Sequence, residues 1–198
     1  SLSIQHSNSG EGTVLIDDIT FNKKLSGFSL ASFEDETGLN ILGGKHWLFA
    51  NGVTAINGKY THNSPNGIYA LSYGGNIGEI KGPDGKIDFA YTGWTTDLAG
   101  INCMRCDALT FRIKGTKGGE QPNIYLSDGG FKWGVDIEHF VDVSQEWQTV
   151  TIPLQAFAEY GVDLSHLAEL QFVFEWEAMS GTVYLDDNKF GDSSFSPY

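Results

Sequence analysis

The sequence predicts an all-β protein built as a two-sheet antiparallel β-sandwich, and three observations lead to this prediction. Glycine is frequent, with 25 glycines in 198 residues, and aromatic residues make up 13% of the chain while charged residues make up only 19%. Apolar and polar residues alternate in several short segments that end at turn residues. No stretch shows the longer period of an amphipathic helix. Many short strands punctuated by glycine are typical of a sandwich.

The alternation is clearest in four segments of the C-terminal half. Their apolar members are Leu109, Phe111 and Ile113; Ile124 and Leu126; Val150 and Ile152; and Leu170, Phe172 and Phe174. Successive side chains of a strand point to opposite faces, so this spacing predicts strands with one buried face. Glycines follow the first two segments and Pro153 ends the third, as expected where strands give way to turns.

An internal repeat indicates how the chain is organised. Residues 12–21 recur at 181–190 with six of ten positions identical. The two copies are separated by the length of a domain, which is far more than the spacing of solenoid repeats. We interpret residues 1–22 as a strand resembling the last strand of a preceding sister module, docked on this sandwich or on a neighbour. The alternative is an extra strand in this module's own sheet. A linker at 23–30, a sandwich at 31–190 and a tail at 191–198 complete the predicted organisation, typical of one module in a larger tandem protein.

The charge balance excludes several kinds of partner. Twelve Lys and Arg against 25 Asp and Glu give a formal net charge of −13, the wrong sign for nucleic acid or an anionic membrane surface. No apolar run approaches the length needed to cross a bilayer. We therefore expect no nucleic-acid and no membrane partner. Clustered acidic groups do suit a hard cation such as calcium.

Two cysteines, Cys103 and Cys106, are the only cysteines of the chain. No nearby histidine completes a zinc site with them. A local disulfide is the favoured interpretation, with reduced thiols as the alternative, and it indicates a secreted or cell-surface protein.

Catalytic motifs are missing from the sequence. The acidic stretches 33–36 and 175–177 lack the spacing that would place three carboxylates on one strand face. Neither a Gly-x-Ser-x-Gly elbow nor a His-Glu-x-x-His motif occurs. We therefore expect no catalytic residues and no enzyme.

Aromatic residues are candidates for sugar binding, because a ring can stack on the apolar face of a pyranose while polar side chains bond the hydroxyls. The aromatic residues outside the inferred core register or in glycine-rich loops are Trp47, Tyr60, Trp94, Tyr125, Trp133 and Trp176. Trp133 is the first candidate, because its glycine-rich hairpin offers little core to enter. Trp176 continues the period of Phe172 and Phe174 and fits the core or its rim better. The candidate polar partners are Asp128, Asp136, His139 and Glu175.

An ordered set of short segments resembles a known group. The segments are 33–35 (FED), 109–115 (LTFRIKG), 146–154 (EWQTVTIPL) and 183–187 (VYLDD). In this order they resemble galactose-binding-like jelly-roll modules, in particular family 11 carbohydrate-binding modules and their relatives. The resemblance implies a non-catalytic module that binds a polysaccharide or oligosaccharide. It also implies that Trp147 fills the core. The sequence departs from the group at Phe174, where a Tyr is expected.

The resemblance further implies a structural calcium where the first and last strands meet. Glu34 and Asp186 occupy the matching positions, and Asp187 is a further candidate ligand. Two carboxylates brought together repel each other unless a proton or cation bridges them, and calcium takes six to eight oxygen ligands.

Two other functions stay open at this point. One is a structural or adhesive tandem module without a sugar ligand, and the other is an assembly-factor role that binds protein. A sugar-binding module should expose at least two aromatic side chains on one face, whereas a spacer module should bury nearly all of them.

Overall fold

The computed structural model of the chain describes residues 27–33, 36–51, 54–61, 68–75, 79–81, 83–175 and 180–191. The predicted N-terminal strand at 1–22 and most of the predicted tail lie outside the described residues, as do Glu34 and Trp176.

Nearly all regular structure in the described residues is extended. The strands are β1 (Gly27–Ala31), β2 (His46–Asn51), β3 (Thr54–Thr61), β4 (Ile68–Gly75), β5 (Glu79–Lys81), β6 (Ile87–Phe89), β7 (Tyr91–Ile101), β8 (Ala108–Gly115), β9 (Asn123–Ser127), β10 (Lys132–Asp136), β11 (Gln148–Pro153), β12 (Leu167–Phe174) and β13 (Gly181–Gly191). One short helix, α1 (Gln155–Ala158), and a 3-10 turn at Ile137–His139 join them. Among these elements, no helix is both long and apolar enough to cross a membrane.

The strands form two main antiparallel sheets. The six-stranded sheet has the order β11-β8-β13-β4-β3, with β1 paired to β13 beside this path. The five-stranded sheet has the order β10-β9-β12-β7-β2, and β5 pairs with β6 separately. Neighbours in sequence are often distant in the sheets, as expected for a jelly roll. The predicted all-β sandwich is confirmed.

The core lies between the two sheets and is filled by the alternating residues. Phe111 of the six-stranded sheet and Phe172 of the five-stranded sheet are fully buried, with ring centroids 4.9 Å apart in an edge-to-face arrangement. Leu109 and Ile113 flank Phe111 on the same strand face and are equally buried. The period of two in the sequence therefore predicted which side chains face inward.

The first strand begins inside the segment predicted as a linker, so that prediction is wrong for residues 27–30. β1 pairs with the C-terminal part of β13, and Gly27 lies opposite Gly191. A Cβ at Gly27 would approach the Cα of Gly191 to 2.9 Å, and the φ of Gly27 is +151°. Only glycine fits this close approach. The chain therefore enters and leaves the sandwich side by side.

Removing residues 1–22 is expected to leave the melting temperature unchanged, because β1 already pairs with the end of β13. Circular dichroism during heating measures this, and removal of residues 1–31, which deletes β1 as well, is the destabilising control. A fall of several degrees on removing residues 1–22 alone would instead mean that the segment packs on this sandwich, either docked on it or as a strand of its own sheet.

Both cysteines are free thiols rather than the favoured disulfide. The hydrogen bond between the two thiols, together with burial, raises the pKa of Cys103. The same hydrogen bond lowers the pKa of Cys106. The backbone N–H of Cys103 also donates to the carbonyl of Leu164 at 2.8 Å, which ties this turn to the segment before β12.

Candidate functional site

One broad surface of the sandwich combines aromatic and polar side chains. It is the side of the five-stranded sheet turned away from the six-stranded sheet, and we call it the outer face. Its members alternate with the core residues of the same strands. They are Trp47 and Phe49 in β2; Tyr91, Gly93, Thr95 and Asp97 in β7; Glu169, Gln171 and Val173 in β12, with Glu175 after it; Asn123, Tyr125 and Ser127 in β9; and Lys132, Gly134 and Asp136 in β10.

One row of this face crosses all five strands. The register pairs its members in the order Gly134, Tyr125, Gln171, Thr95 and Trp47. Thr95 is only 1% exposed although it points away from the core, whereas Trp47 is 41% exposed. The row is therefore low at Thr95, and the larger side chains of Gln171 and Trp47 lie on either side of it. Tyr125 and Trp47 are three strand spacings apart, about 14 Å.

Tyr125 is held by polar partners at one end of the row. Its hydroxyl donates to Glu175 Oε1 at 2.6 Å, and Asn123 Nδ2 donates to the same oxygen at 2.9 Å. Burial and the hydrogen bond to Glu175 raise the pKa of the Tyr125 hydroxyl. The hydroxyl therefore stays protonated as a donor at any physiological pH.

A second polar chain crosses the face beside Tyr125. Gln171 Nε2 donates to Glu169 Oε2 at 2.7 Å, and Lys132 Nζ donates to Gln171 Oε1 at 3.3 Å. The Lys132 ammonium also lies 5.0 Å from the centre of the Tyr125 ring. Amide, carboxylate and ammonium groups are thus presented together next to an aromatic ring.

The other end of the face is more apolar. The rings of Phe49 and Tyr91 meet edge to face with centroids 6.1 Å apart, and Tyr91 is 37% exposed. A Cβ at Gly93 would come within 2.5 Å of Phe49 Cζ, so the absent side chain leaves room for that ring. Together with Trp47, this face exposes the two or more aromatic side chains expected of a sugar-binding module.

Asp136 lies at the rim of the outer face, opposite Asn123 in the register. Its carboxylate, that of Glu138 and the His139 ring have donor atoms within 4.8 Å of one another, and all three residues are exposed. The predicted polar candidates Asp136, His139 and Glu175 therefore lie on or beside one face, together with Trp47 and Tyr125.

Trp94 was expected as a sugar-binding residue, and this prediction is wrong. Its side chain is fully buried, with ring centroids 5.1 Å from His46, 5.6 Å from Phe172 and 6.0 Å from Phe33. Its position in β7 faces the core because it pairs with Phe172, a core residue of β12. A sugar cannot reach it.

Tyr60 and Trp133 also face inward rather than lying on the outer face. Tyr60 packs against the core, with its ring centroid 6.3 Å from that of Phe33. Trp133 lies opposite the buried Leu126 and packs against the core edge, where its ring stacks on Tyr160 at 4.2 Å and 8°. The register of β10 against β9 decided this orientation, and the flanking glycines gave no sign of it.

Trp147 is not a core residue, contrary to what the resemblance implied. It is half-buried just before β11, and the Arg112 guanidinium and the Lys114 ammonium lie 4.8 Å and 5.2 Å from its ring centre. Both cations alternate with the core residues of β8, so this tryptophan packs on the outside of the six-stranded sheet.

The Asp128 side chain stabilises a turn and does not lie on the outer face. Its Oδ1 accepts the backbone N–H groups of Gly130 and Phe131, and its Oδ2 accepts that of Asp163 at 3.0 Å. These hydrogen bonds, with that from Asp163 the largest, lower the pKa of the Asp128 carboxyl.

Two of the predicted metal ligands, Asp186 and Asp187, lie on β13 near its pairing with β1. Asp186 is fully buried, and its Oδ1 accepts the N–H of Asp187 at 2.8 Å. The ladder with β8 is irregular between Asp186 and Lys189, and Asp187 has a φ of +51°. Arg112 Nη1 lies 3.8 Å from a carboxylate oxygen of each aspartate. Asp187 is partly exposed.

Asn188 is a neighbouring polar group that the sequence analysis did not select. It is fully buried, and neither its amide oxygen nor its amide nitrogen has a hydrogen-bond partner among the described residues. Leaving such a group unsatisfied costs about 1–3 kcal/mol. It pairs with Ala31 of β1, and Glu34 follows Ala31 by three residues in the sequence.

Comparison with protein families gives a match over the C-terminal part of the chain. The family described as Carbohydrate binding domain 30 matches residues 80–192. This span includes β7, β9, β10 and β12 of the outer face, whereas β2 with Trp47 lies outside it. No curated protein matches the chain.

Several solved structures share the fold. A family 11 carbohydrate-binding module from Clostridium thermocellum, in complex with a β-1,3-1,4-mixed-linked tetrasaccharide, is 15% identical with a TM-score of 0.63 and covers 83% of this chain and 94% of that one. A family 30 module of a Clostridium thermocellum cellulosomal cellulase is 21% identical with a TM-score of 0.53, covering 76% and 92%. A β-1,2-glucanase from Parabacteroides distasonis is 14% identical with a TM-score of 0.55, covering 75% of this chain and 23% of the glucanase.

Proposed function

Because the chain belongs to the family described as Carbohydrate binding domain 30, we propose that the outer face is the surface with which it binds a polysaccharide. The observation that carries this proposal is the row that runs from Tyr125 to Trp47 across the five-stranded sheet. A span of about 14 Å suits a segment of a sugar chain lying across the strands.

The chemistry of the face supports this proposal. Aromatic rings at both ends offer stacking surfaces for the C–H groups of pyranoses. Between them, Gln171 and Glu169 present amide and carboxylate groups to the hydroxyls of a sugar. The contacts among these polar groups hold them in fixed orientations before a ligand arrives, which lowers the entropy cost of binding.

The charges of the face favour a neutral polysaccharide over one built from uronic acids. Asp97, Asp136, Glu169 and Glu175 supply carboxylates, and Lys132 supplies a positive charge. A polyanionic ligand would be repelled by the surplus of carboxylates and by the net charge of −13. We also propose that the module is part of a secreted or cell-surface protein.

Trp47→Ala and Tyr125→Ala are each expected to weaken polysaccharide binding about thirtyfold, the loss of about 2 kcal/mol that removal of a dominant aromatic contact costs. Affinity electrophoresis against soluble mixed-linked β-glucan, xylan and mannan measures the effect, with polygalacturonate as the anionic comparison. Phe131→Ala is the matched control, because Phe131 is exposed and its ring lies beside Gly161, in the turn after α1.

Retardation of the wild-type protein by a neutral polysaccharide, lost in the two variants and kept in the control, is the expected result. Equal retardation of all four proteins would move the site away from the outer face. No retardation of the folded wild type by any of these polysaccharides would favour the structural or adhesive tandem module that the repeat at residues 12–21 suggests.

The buried polar groups of β13 support the expected calcium as a second part of the proposal. The Asp186 carboxylate and the Asn188 amide oxygen are oxygen donors enclosed in the protein, which is the ligand chemistry that calcium prefers. They would hold the ion together with Glu34, and Asp187 is the weaker candidate because its side chain is partly exposed. Bound calcium would balance the negative charge of the buried carboxylate. Its coordination would also cross-link the chain around β1 to β13.

A further inference from the structure

We propose that Gly134 and Glu175 are positioning residues that hold the Tyr125 ring flat on the outer face, and that the affinity for polysaccharide depends on this orientation. The inference rests on the proposed function of the outer face. It assigns a role in binding to Gly134, which has no side chain, and to the Glu175 carboxylate, which acts through Tyr125.

Gly134 lies directly opposite Tyr125 in the register of β9 and β10. A Cβ at Gly134 would be 2.5 Å from Tyr125 Cζ and 2.7 Å from Cδ1, with Cε1 between them closer still. Similar distances to three consecutive ring atoms mean that the Cβ would meet the ring from above its plane. The ring therefore lies across Gly134 with one face against the strand. Its opposite face is turned outward, away from the strand.

Glu175 fixes the far end of the same ring. Its Oε1 accepts hydrogen bonds from the Tyr125 hydroxyl and from Asn123 Nδ2. Bonds to a charged acceptor are shorter and stronger than those between neutral groups, and the 2.6 Å distance fits this class. The ring is thus supported along one face by β10 and pinned at its hydroxyl by the segment after β12. A platform fixed in this way loses little conformational entropy when a sugar stacks on it.

The contact between Gly134 and the Tyr125 ring allows an effect on binding to be measured separately from an effect on folding. The φ of Gly134 lies outside the left-handed region, so alanine is compatible with the backbone there. An added methyl group must lift or turn the Tyr125 ring, because the ring is the nearest group that can move. Gly134→Ala should therefore change the platform while leaving the sandwich intact.

The experiment compares dissociation constants for a polysaccharide retained by the wild type, together with melting temperatures. Gly134→Ala is expected to weaken binding about tenfold with little change in melting temperature. The matched control is Gly130→Ala, in the turn that leads into the same strand, where a Cβ would meet only Asp128 Oδ1 at an ordinary 3.5 Å. It should bind like the wild type.

Two double-variant comparisons test whether these residues act through Tyr125. In a Tyr125→Ala background, Gly134→Ala should have no further effect. In a Tyr125→Phe background, which lacks the hydroxyl, Glu175→Ala should have less effect than it has in the wild type. Additive effects in both comparisons would overturn the positioning role and make these residues direct ligand contacts or structural residues.

The outcomes also distinguish this inference from the function on which it rests. If Tyr125→Ala and Trp47→Ala both bind normally, the proposed site itself is wrong, whereas normal binding by Tyr125→Ala alone overturns only the positioning role. If Tyr125→Ala loses binding while Gly134→Ala and Glu175→Ala keep it, the site stands and only the positioning role is overturned.

Discussion

Trp94→Ala is expected to lower the free energy of unfolding by about 3–5 kcal/mol, the usual cost of truncating a buried aromatic residue to alanine. The Trp94 ring is fully buried and lies within 6.0 Å of the rings of Phe33, His46 and Phe172. The surrounding rings belong to different segments and cannot all collapse into the space. A domain of ordinary stability has only about 5–15 kcal/mol in total, so this change would remove a large part of it.

Urea denaturation followed by circular dichroism measures the effect as a lower midpoint with an unchanged slope. Trp47→Ala is the matched control, because Trp47 lies on the same sheet but is 41% exposed, and its midpoint should change little. The result that contradicts this expectation is a Trp94→Ala protein with the wild-type midpoint and no affinity for polysaccharide. That outcome would return Trp94 to the binding site.

Removal of calcium is expected to lower the melting temperature of the wild type by about 5–11 °C. A ligand present at a hundred times its dissociation constant stabilises the folded state by about 2.7 kcal/mol, and each 1 kcal/mol is worth about 2–4 °C in a domain of this size. The buried Asp186 carboxylate and the unsatisfied Asn188 amide are the groups that would lose their partner.

Scanning calorimetry with calcium and with a chelator tests this expectation in three proteins. Asp186→Asn should melt at a lower temperature in calcium and should no longer respond to the chelator. Asp142→Asn, which alters an exposed carboxylate away from β13, should behave like the wild type. If the chelator leaves the wild-type melting temperature unchanged, these residues hold no calcium, and the Arg112 guanidinium at 3.8 Å supplies positive charge beside Asp186.

The fold could be predicted because apolar residues alternate with polar ones along its strands, which shows which face of each strand is buried. Leu109, Phe111 and Ile113 are buried at every second position of β8, and Ile124 and Leu126 do the same on either side of Tyr125. The same alternation turned Tyr125 outward, and applied to β12 it would also have selected Gln171, which the sequence analysis passed over. Local periodicity is enough wherever a strand has one solvated face.

Trp94 could not be assigned in this way, because the strand around it has no visible period. Thr92, Gly93, Thr95 and Thr96 are all buried along with it. Phe49 from the neighbouring strand lies over Gly93 on the outer side, so burial on that side depends on a residue more than 40 positions away in the sequence. The local pattern contains no information about this cover.

Trp133 shows a second limit, which is the register between strands. Its glycine-rich flanks predicted an exposed hairpin residue, and a hairpin does form between β9 and β10. A shift of one residue in a register exchanges the two faces of a strand. The pairing of Trp133 with Leu126 turns the indole inward, whereas its neighbour Gly134 meets Tyr125 on the outer face. Asn188 was overlooked for a related reason, since an irregular ladder and not the sequence period sets its burial.

The side-by-side arrangement of Gly27 and Gly191 also determines how the module would respond to mechanical force. Tension applied through the chain before Gly27 and after Gly191 would pull apart the two partners of an antiparallel pair at the end where they meet. The hydrogen bonds between β1 and β13 would then be loaded one after another, as in a zipper, and not all at once, as in shear. A sandwich loaded in this geometry yields at low force. Strain along the polypeptide would therefore open the β1–β13 seam, which includes Asn188 of the proposed calcium site, before it disturbed the outer face of the opposite sheet.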